Sequence, residues 1–142
     1  MDTNKEILVG IDFGTTNTVI TQFSNNKANI LLDGVFKIIP SKIGKINGKI
    51  YCGNYIPINC QDIIHSFKIS IGEGNSFQFN KEDTQIYSHL DLLVIFFTHL
   101  KDLIVKNTKI PNGQIKAVIT VPSNFNDKQR ETIKSGFNTV GI

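Results

Sequence analysis

The sequence predicts an α+β fold, and three features predict it. A run of branched apolar residues opens the chain and an alternating segment follows it, the spacing turns helical between Ile86 and Asn107, and an apolar strand then leads into a second amphipathic helix. Alternation with period two is the mark of a strand and recurrence at i, i+3, i+4, i+7 that of a helix.

Ile7-Leu-Val-Gly-Ile11 reads as a buried strand, Asp12 to Asn17 as a turn and Thr18 to Phe23 as the strand that returns. Asn25-Asn26 makes the next turn, before Ala28 to Leu32, so the chain opens with an antiparallel meander of three strands. Residues 33–60 hold short strands and turns. Among them Asn47-Gly48, between Lys45-Ile46 and Lys49-Ile50, is a strong signal for a two-residue hairpin. Residues 61–84 carry no clear period. Gly72-Glu-Gly74 lacks the third glycine of a dinucleotide-binding turn and predicts a loop. Leu93, Phe96, Phe97, Leu100, Leu103 and Ile104 fall on one helical face, and Asn107, Pro111 and Gly113 are expected to end that helix. Lys116 to Val121 is an apolar strand closed by Pro122. A helix then starts near Asn126, with Gln129 placed to complete a capping box and Ile133, Phe137 and Val140 on its apolar side.

At 142 residues the chain is the size of one domain, on the usual scale of roughly 100–200 residues per domain. Its 40% hydrophobic and 19% charged residues are those of globular material, not of a disordered tail. The net charge of +3 is spread from Lys5 to Lys134, with Arg130 the sole arginine, so no basic face for nucleic acid is expected. The polar start from Met1 to Glu6 and the short apolar run after it predict no secretory leader. The longest apolar run, Leu92 to Phe97, is far below the ~18 residues that span a bilayer. A cytoplasmic, membrane-free protein is the expectation. Cys52 and Cys60 have no metal or redox spacing and are expected as free thiols, and His65, His89 and His99 form no ligand pattern.

The chemistry lies in Gly10-Ile-Asp-Phe-Gly-Thr-Thr-Asn17. A carboxylate at the end of a buried strand, followed by a glycine and two hydroxyl residues, suits a nucleotide phosphate and its metal. Gly14 keeps a side chain out of the anion's way, Thr15 and Thr16 offer N–H and hydroxyl donors, and Asp12 can hold Mg²⁺ through water. A plain hairpin turn with local side-chain bonds would read the same way.

Ile11-Asp-Phe-Gly-Thr-Thr-Asn17 resembles the first phosphate loop of the ATPase superfamily that unites the seventy-kilodalton heat-shock chaperones, actin and the sugar kinases. Ala117-Val-Ile-Thr-Val-Pro-Ser-Asn-Phe-Asn-Asp-Lys-Gln-Arg130 resembles the strand-to-helix junction of the chaperones alone. Pro40-Ser41 and Phe67-Lys-Ile-Ser-Ile-Gly72 resemble two further chaperone segments in the same order. The sequence departs from the family at Ile69, where an arginine is usual, and at Val35-Phe36, where a Gly-Asn pair commonly precedes the Pro-Ser. Residues 72–83 fit poorly.

The resemblance implies the first lobe of an actin-like, RNase H-like ATPase domain. In it residues 1–142 form an incomplete nucleotide-binding domain, with an inserted subdomain at about 36–112 and the strand from Lys116 to Val121 parallel to the first strand. It implies that ATP or ADP, with Mg²⁺ near Asp12, is bound through Gly14, Thr15, Thr16 and Asn17, and that Lys68 reaches the γ-phosphate. Pro122 and Arg130 would relay nucleotide state to a peptide-binding domain. The implied partners are unfolded peptides, a J-domain co-chaperone and a nucleotide-exchange factor. The second phosphate loop, the adenosine pocket and the peptide-binding domain of the family have no counterpart in these residues. The expectation is therefore an ATP-dependent chaperone fragment, inactive alone, or a non-catalytic module of the same descent that binds chaperones or co-chaperones. Taken without the family, Lys68 is an ordinary surface lysine, Pro122 a strand terminator and Arg130 a solvated helix residue.

Overall fold

The structure is a computed structural model that describes residues 5–68 and 70–142. The polar start at residues 1–4 and the departure at Ile69 lie outside the described residues.

Strand β1 (Glu6–Phe13) alternates strictly, with Ile7, Val9, Ile11 and Phe13 buried and Glu6, Leu8, Gly10 and Asp12 exposed. The apolar run expected to be wholly buried is therefore covered on one face only, and Leu8 is 43% exposed. Asn25 and Asn26 both take the left-handed conformation, at φ 50° and 58°. That conformation matches the twist of a tight hairpin and joins β2 (Asn17–Ser24) to the short β3 (Lys27–Ile30). β4 (Ile39–Pro40) adds two residues beside the start of β2.

β5 (Lys42–Ile46) and β6 (Lys49–Cys52) meet at Asn47 and Gly48, with φ of 51° and 75° and Ile46 opposite Lys49. The predicted two-residue hairpin is present. A single 3₁₀ turn (Gly53–Tyr55) follows, and β7 (Asp62–His65) pairs antiparallel with β5 to complete a three-stranded sheet. Gly72 lies in a turn and Gly74 in the irregular stretch after it, at φ 91° and 72°, as expected of a loop.

Helix α1 (His89–Thr108) starts three residues later than the apolar period suggests. Ser88 caps it, accepting from the Asp91 N–H at 3.1 Å while its own N–H donates to Asp91 Oδ2 at 2.8 Å. Ile86 lies in phase with the helix, but the Tyr87 backbone next to it bonds to Phe77 in an extended bridge instead. The helix end also differs from expectation. Asn107 lies inside the last turn, its side-chain amide bridging the backbone N–H and carbonyl of Leu32. Lys109, left-handed at φ 58°, closes the helix.

β8 (Gln114–Thr120) then runs parallel to β1, from Glu6 opposite Gln114 to Asp12 opposite Thr120. The first sheet thus reads β3-β2-β1-β8, and it contains both the meander and the parallel strand. Helix α2 (Asp127–Thr139) carries the expected box, Asn126 at its N-cap exchanging bonds with Gln129. The core joins these pieces through rings: Phe13 of β1 meets Phe97 of α1 edge-on at 5.2 Å, and Phe97 stacks on Phe137 of α2 at 3.6 Å. Gly136 makes the stack possible, because a Cβ there would lie 2.9 Å from the Phe97 ring. No helix among the described residues is long and apolar enough to cross a membrane.

Candidate functional site

β1 and β8 are parallel and end side by side, so the turns that follow them share one end of the sheet. In sheets of this kind ligands bind outside the carboxyl ends of the parallel strands. Asp12 sits exposed at the end of β1 and accepts from the Thr120 hydroxyl of β8 at 2.6 Å. Thr120 had no signal in the sequence beyond its place in a strand. Only the parallel register sets it beside Asp12.

The turn after β1 is closed by the Gly14 N–H, which donates to the Asn17 carbonyl at 2.9 Å. A Cβ on Gly14 would stand 2.3 Å from that oxygen. The glycine is thus required within the turn, ahead of any need for close approach by a ligand. Ser41 braces the same turn: its N–H donates to the Thr16 carbonyl at 2.8 Å, its hydroxyl to the Gly14 carbonyl at 2.8 Å, and it lies 2.9 Å from the buried Thr18 hydroxyl. The Pro40-Ser41 pair, singled out only by resemblance, therefore holds the turn in shape. Asp33 and Phe36 close a small turn upstream by a mutual pair of backbone bonds, which leaves Val35 and Phe36 exposed at the point of departure from the family.

Lys68 does not behave as a surface lysine. It is 5% exposed, and its ammonium donates to the Phe13 carbonyl at the neck of the turn. The Phe13 ring lies 4.9 Å from Nζ and the Phe125 ring 5.8 Å from it. Burial lowers the Lys68 pKa from its ordinary value, and the negative charge of Asp12 pulls it partly back. Asp12, Gly14 and Lys68 are thus brought to one place by residues 55 apart in the chain.

Pro122 and Arg130 converge on Phe125. The Pro122 carbonyl accepts from the Phe125 N–H at 3.1 Å, and Arg130 Nε donates to the Phe125 carbonyl at 3.2 Å. Arg130 is exposed on α2 and Pro122 half-buried. Phe125 connects them to Lys68, a role the sequence did not announce. Gln129 adds a second tie, donating from its side-chain amide to the Ile71 carbonyl at 3.0 Å.

The donor set can be tested against a phosphate and its metal. A lysine ammonium has three donors, and among the described residues one acceptor, the Phe13 carbonyl, stands against it. A buried charge is costly until paired, so an anion beside Lys68 would offset the cost of its burial. Among the described residues the Thr15 and Thr16 N–H groups and hydroxyls have no acceptor within the protein. These groups fit a phosphate, and the exposed carboxylate of Asp12 fits a hydrated cation.

Fold and site together define a mixed α+β protein whose parallel strand pair ends in a glycine- and hydroxyl-containing turn set around a buried lysine. No protein-family model matches the chain. It is similar to the chaperone protein DnaK of Mycoplasmopsis pulmonis (strain UAB CTIP), 32% identical over 142 residues. The chaperone protein DnaK of Mycoplasmopsis agalactiae is 33% identical over 144 residues, and that of Metamycoplasma hominis 30% over 142. Each comparison takes in 97% of this chain and 23% of the relative. The chain is a relative of the heat shock protein 70 chaperones of the DnaK type, and it spans about a quarter of their length.

Proposed function

We propose that the chain forms one jaw of the nucleotide site of a DnaK-like, ATP-dependent chaperone, with the architecture of the first lobe of an actin-like ATPase. The observation that carries this reading is the buried ammonium of Lys68 at the neck of the Asp12–Asn17 turn. Transfer of a phosphoryl group is mostly a matter of positioning and of neutralising charge that develops on oxygen. A lysine held by its own protein at the mouth of a donor-rich turn supplies both.

In this reading the Thr15, Thr16 and Asn17 backbone and hydroxyls take the β- and γ-phosphates and Gly14 keeps the turn closed. Lys68 holds its charge toward the terminal phosphate. Asp12, steadied by Thr120, is the residue that holds Mg²⁺ through water; the ion, when bound, neutralises phosphate charge. Pro122 and Arg130 pass the state of the turn outward, supported by their shared hold on Phe125. Residues 36–112, with their separate three-stranded sheet, are the inserted subdomain. The partners are those of the family: ATP and ADP, unfolded peptides, a J-domain co-chaperone and a nucleotide-exchange factor, in the cytoplasm.

One jaw binds weakly. A hydrogen bond to a charged group contributes about 1.5–3 kcal/mol, so two or three sum to about 4–8 kcal/mol, against an association cost of roughly 4–15 kcal/mol. Titration of this chain with Mg-ATP is expected to give millimolar affinity or weaker and no turnover. Lys68→Ala is expected to weaken binding by one such bond, on the order of ten- to a hundred-fold. Micromolar binding would contradict the one-jaw reading, as would repeated turnover that Lys68→Ala abolishes. Binding indifferent to Lys68→Ala would remove the role of the lysine.

A further inference from the structure

The turn that carries Lys68 is gripped by a histidine that the phosphate-binding reading leaves unused. His89 is the first residue of α1, 6% exposed, on a helix end fixed by the Ser88–Asp91 capping box. Its Nε2 lies 2.9 Å from the Ser70 hydroxyl, two residues beyond Lys68. The Phe77 ring covers another side, edge-on at 4.7 Å.

We infer that His89 is a positioning residue for Lys68, its imidazole tying the turn just beyond the lysine, through the Ser70 hydroxyl, to the start of α1. What it positions the lysine for rests on the phosphate-binding reading above; that it positions the lysine does not. A neutral imidazole offers one donor and one acceptor, and either can serve the Ser70 hydroxyl, which can donate or accept. Ser70 lies two residues beyond Lys68, so fixing it limits where the lysine stem can begin. The stem is then left to reach the Phe13 carbonyl.

The ring is neutral near pH 7. Burial pushes its pKa down, while the Phe67 backbone and the charge of Glu73 act in the other direction. The charged groups around it are Glu73 from the loop after the Lys68 turn, Asp91 on its own helix, and Lys128 on α2, which lines the same cleft as His89 and Asp91. Acidification that charges the ring adds a second cation to the turn that already buries the Lys68 ammonium.

The test uses the whole chain labelled with ¹³C and ¹⁵N, and reads the Phe13 carbonyl resonance, which reports the bond from Lys68. Lys68→Met marks the unbonded position of that resonance. His89→Gln and Ser70→Ala are expected to move it toward the Lys68→Met value, His89→Gln further, with circular dichroism unchanged. In the unaltered chain it is expected to shift in step with the His89 ring signals as pH falls, and this titration is expected to vanish in His89→Gln. A Phe13 resonance that stays in place in folded Ser70→Ala and is blind to His89 titration would overturn the proposal. Ser70→Ala removes only a hydroxyl and decides the matter if His89→Gln does not fold. A parallel Mg-ATP titration separates the two readings: absent nucleotide binding with a displaced resonance fails the phosphate site while the positioning role stands.

Discussion

Phe13→Ala is expected to remove about 3–5 kcal/mol of stability, the range for emptying a buried aromatic site. A domain of this kind has about 5–15 kcal/mol in all. Phe13 is fully buried, and its ring touches three others, Phe67 at 6.1 Å, Phe96 at 5.8 Å and Phe97 at 5.2 Å. It therefore joins β1, α1 and the Lys68 turn at one point. Its backbone carbonyl is also the acceptor for Lys68, so loss of the ring loosens the wall against which the ammonium stem packs. Denaturant unfolding checks the magnitude, with Phe13→Leu as the milder comparison. A loss under about 1 kcal/mol for the alanine variant would mean that the aromatic cluster does not carry the core.

Asp33→Ala is expected to cost a similar amount, about 3–5 kcal/mol, because it strips one partner from a buried charged network. The Asp33 side chain is fully buried. Its Oδ2 accepts from the Asn54 N–H at 2.7 Å and from Asn54 Nδ2 at 2.8 Å, and its Oδ1 lies 3.2 Å from His99 Nε2. Gly53 lets the loop come this near, since a Cβ there would stand 2.7 Å from Oδ2. Burial alone would push the Asp33 carboxyl up; the bonds from His99 and Asn54 and the nearby His99 outweigh it and hold it below the usual value. The same carboxylate, after burial, helps push the Cys52 thiol up to about 12, which leaves that thiol inert at neutral pH. A depressed carboxylate contributes stability above its unfolded pKa, about 3.9, and loses it as pH falls through the lower folded value. Unfolding measured from pH 7 downward is expected to show that acid loss in the unaltered chain and less of it in Asp33→Asn. Identical pH profiles in the two proteins would show that the carboxylate charge is not what the network uses.

The contrast between these two sites explains what could be read in advance. The Asp12–Asn17 turn was legible because local chemistry makes it: an alternating strand, a glycine that fits where no Cβ can, and a returning strand. The Asn47-Gly48 hairpin and the Asn126–Gln129 cap were legible for the same reason. The Asp33 network was not, since its members lie 21 and 66 positions apart and each is unremarkable alone. Lys68 was legible only through resemblance, because its burial is imposed by Phe13 and Phe125 from distant strands and turns. The start of α1 was misplaced because Ile86 keeps helical phase, while the bridge to Phe77 claims the backbone of Tyr87 beside it. Thr120 and Phe125 gained their roles from strand register and loop return, which no single stretch of residues encodes.

The position of β8 has a consequence for how the backbone exchanges with solvent. β1 lies between β2 and β8 and bonds on both sides, whereas among the described residues β8 bonds to β1 alone. In a parallel ladder successive N–H groups of an outermost strand point alternately inward and outward. Val118, with its side chain 76% exposed, sits in the middle of that strand. In deuterated water β8 should therefore take up label in a two-residue rhythm, alternate amides exchanging early, while β1 exchanges as one protected block. That rhythm would fade when another segment pairs along β8, which makes its amides a direct gauge of whether the sheet has gained a neighbour.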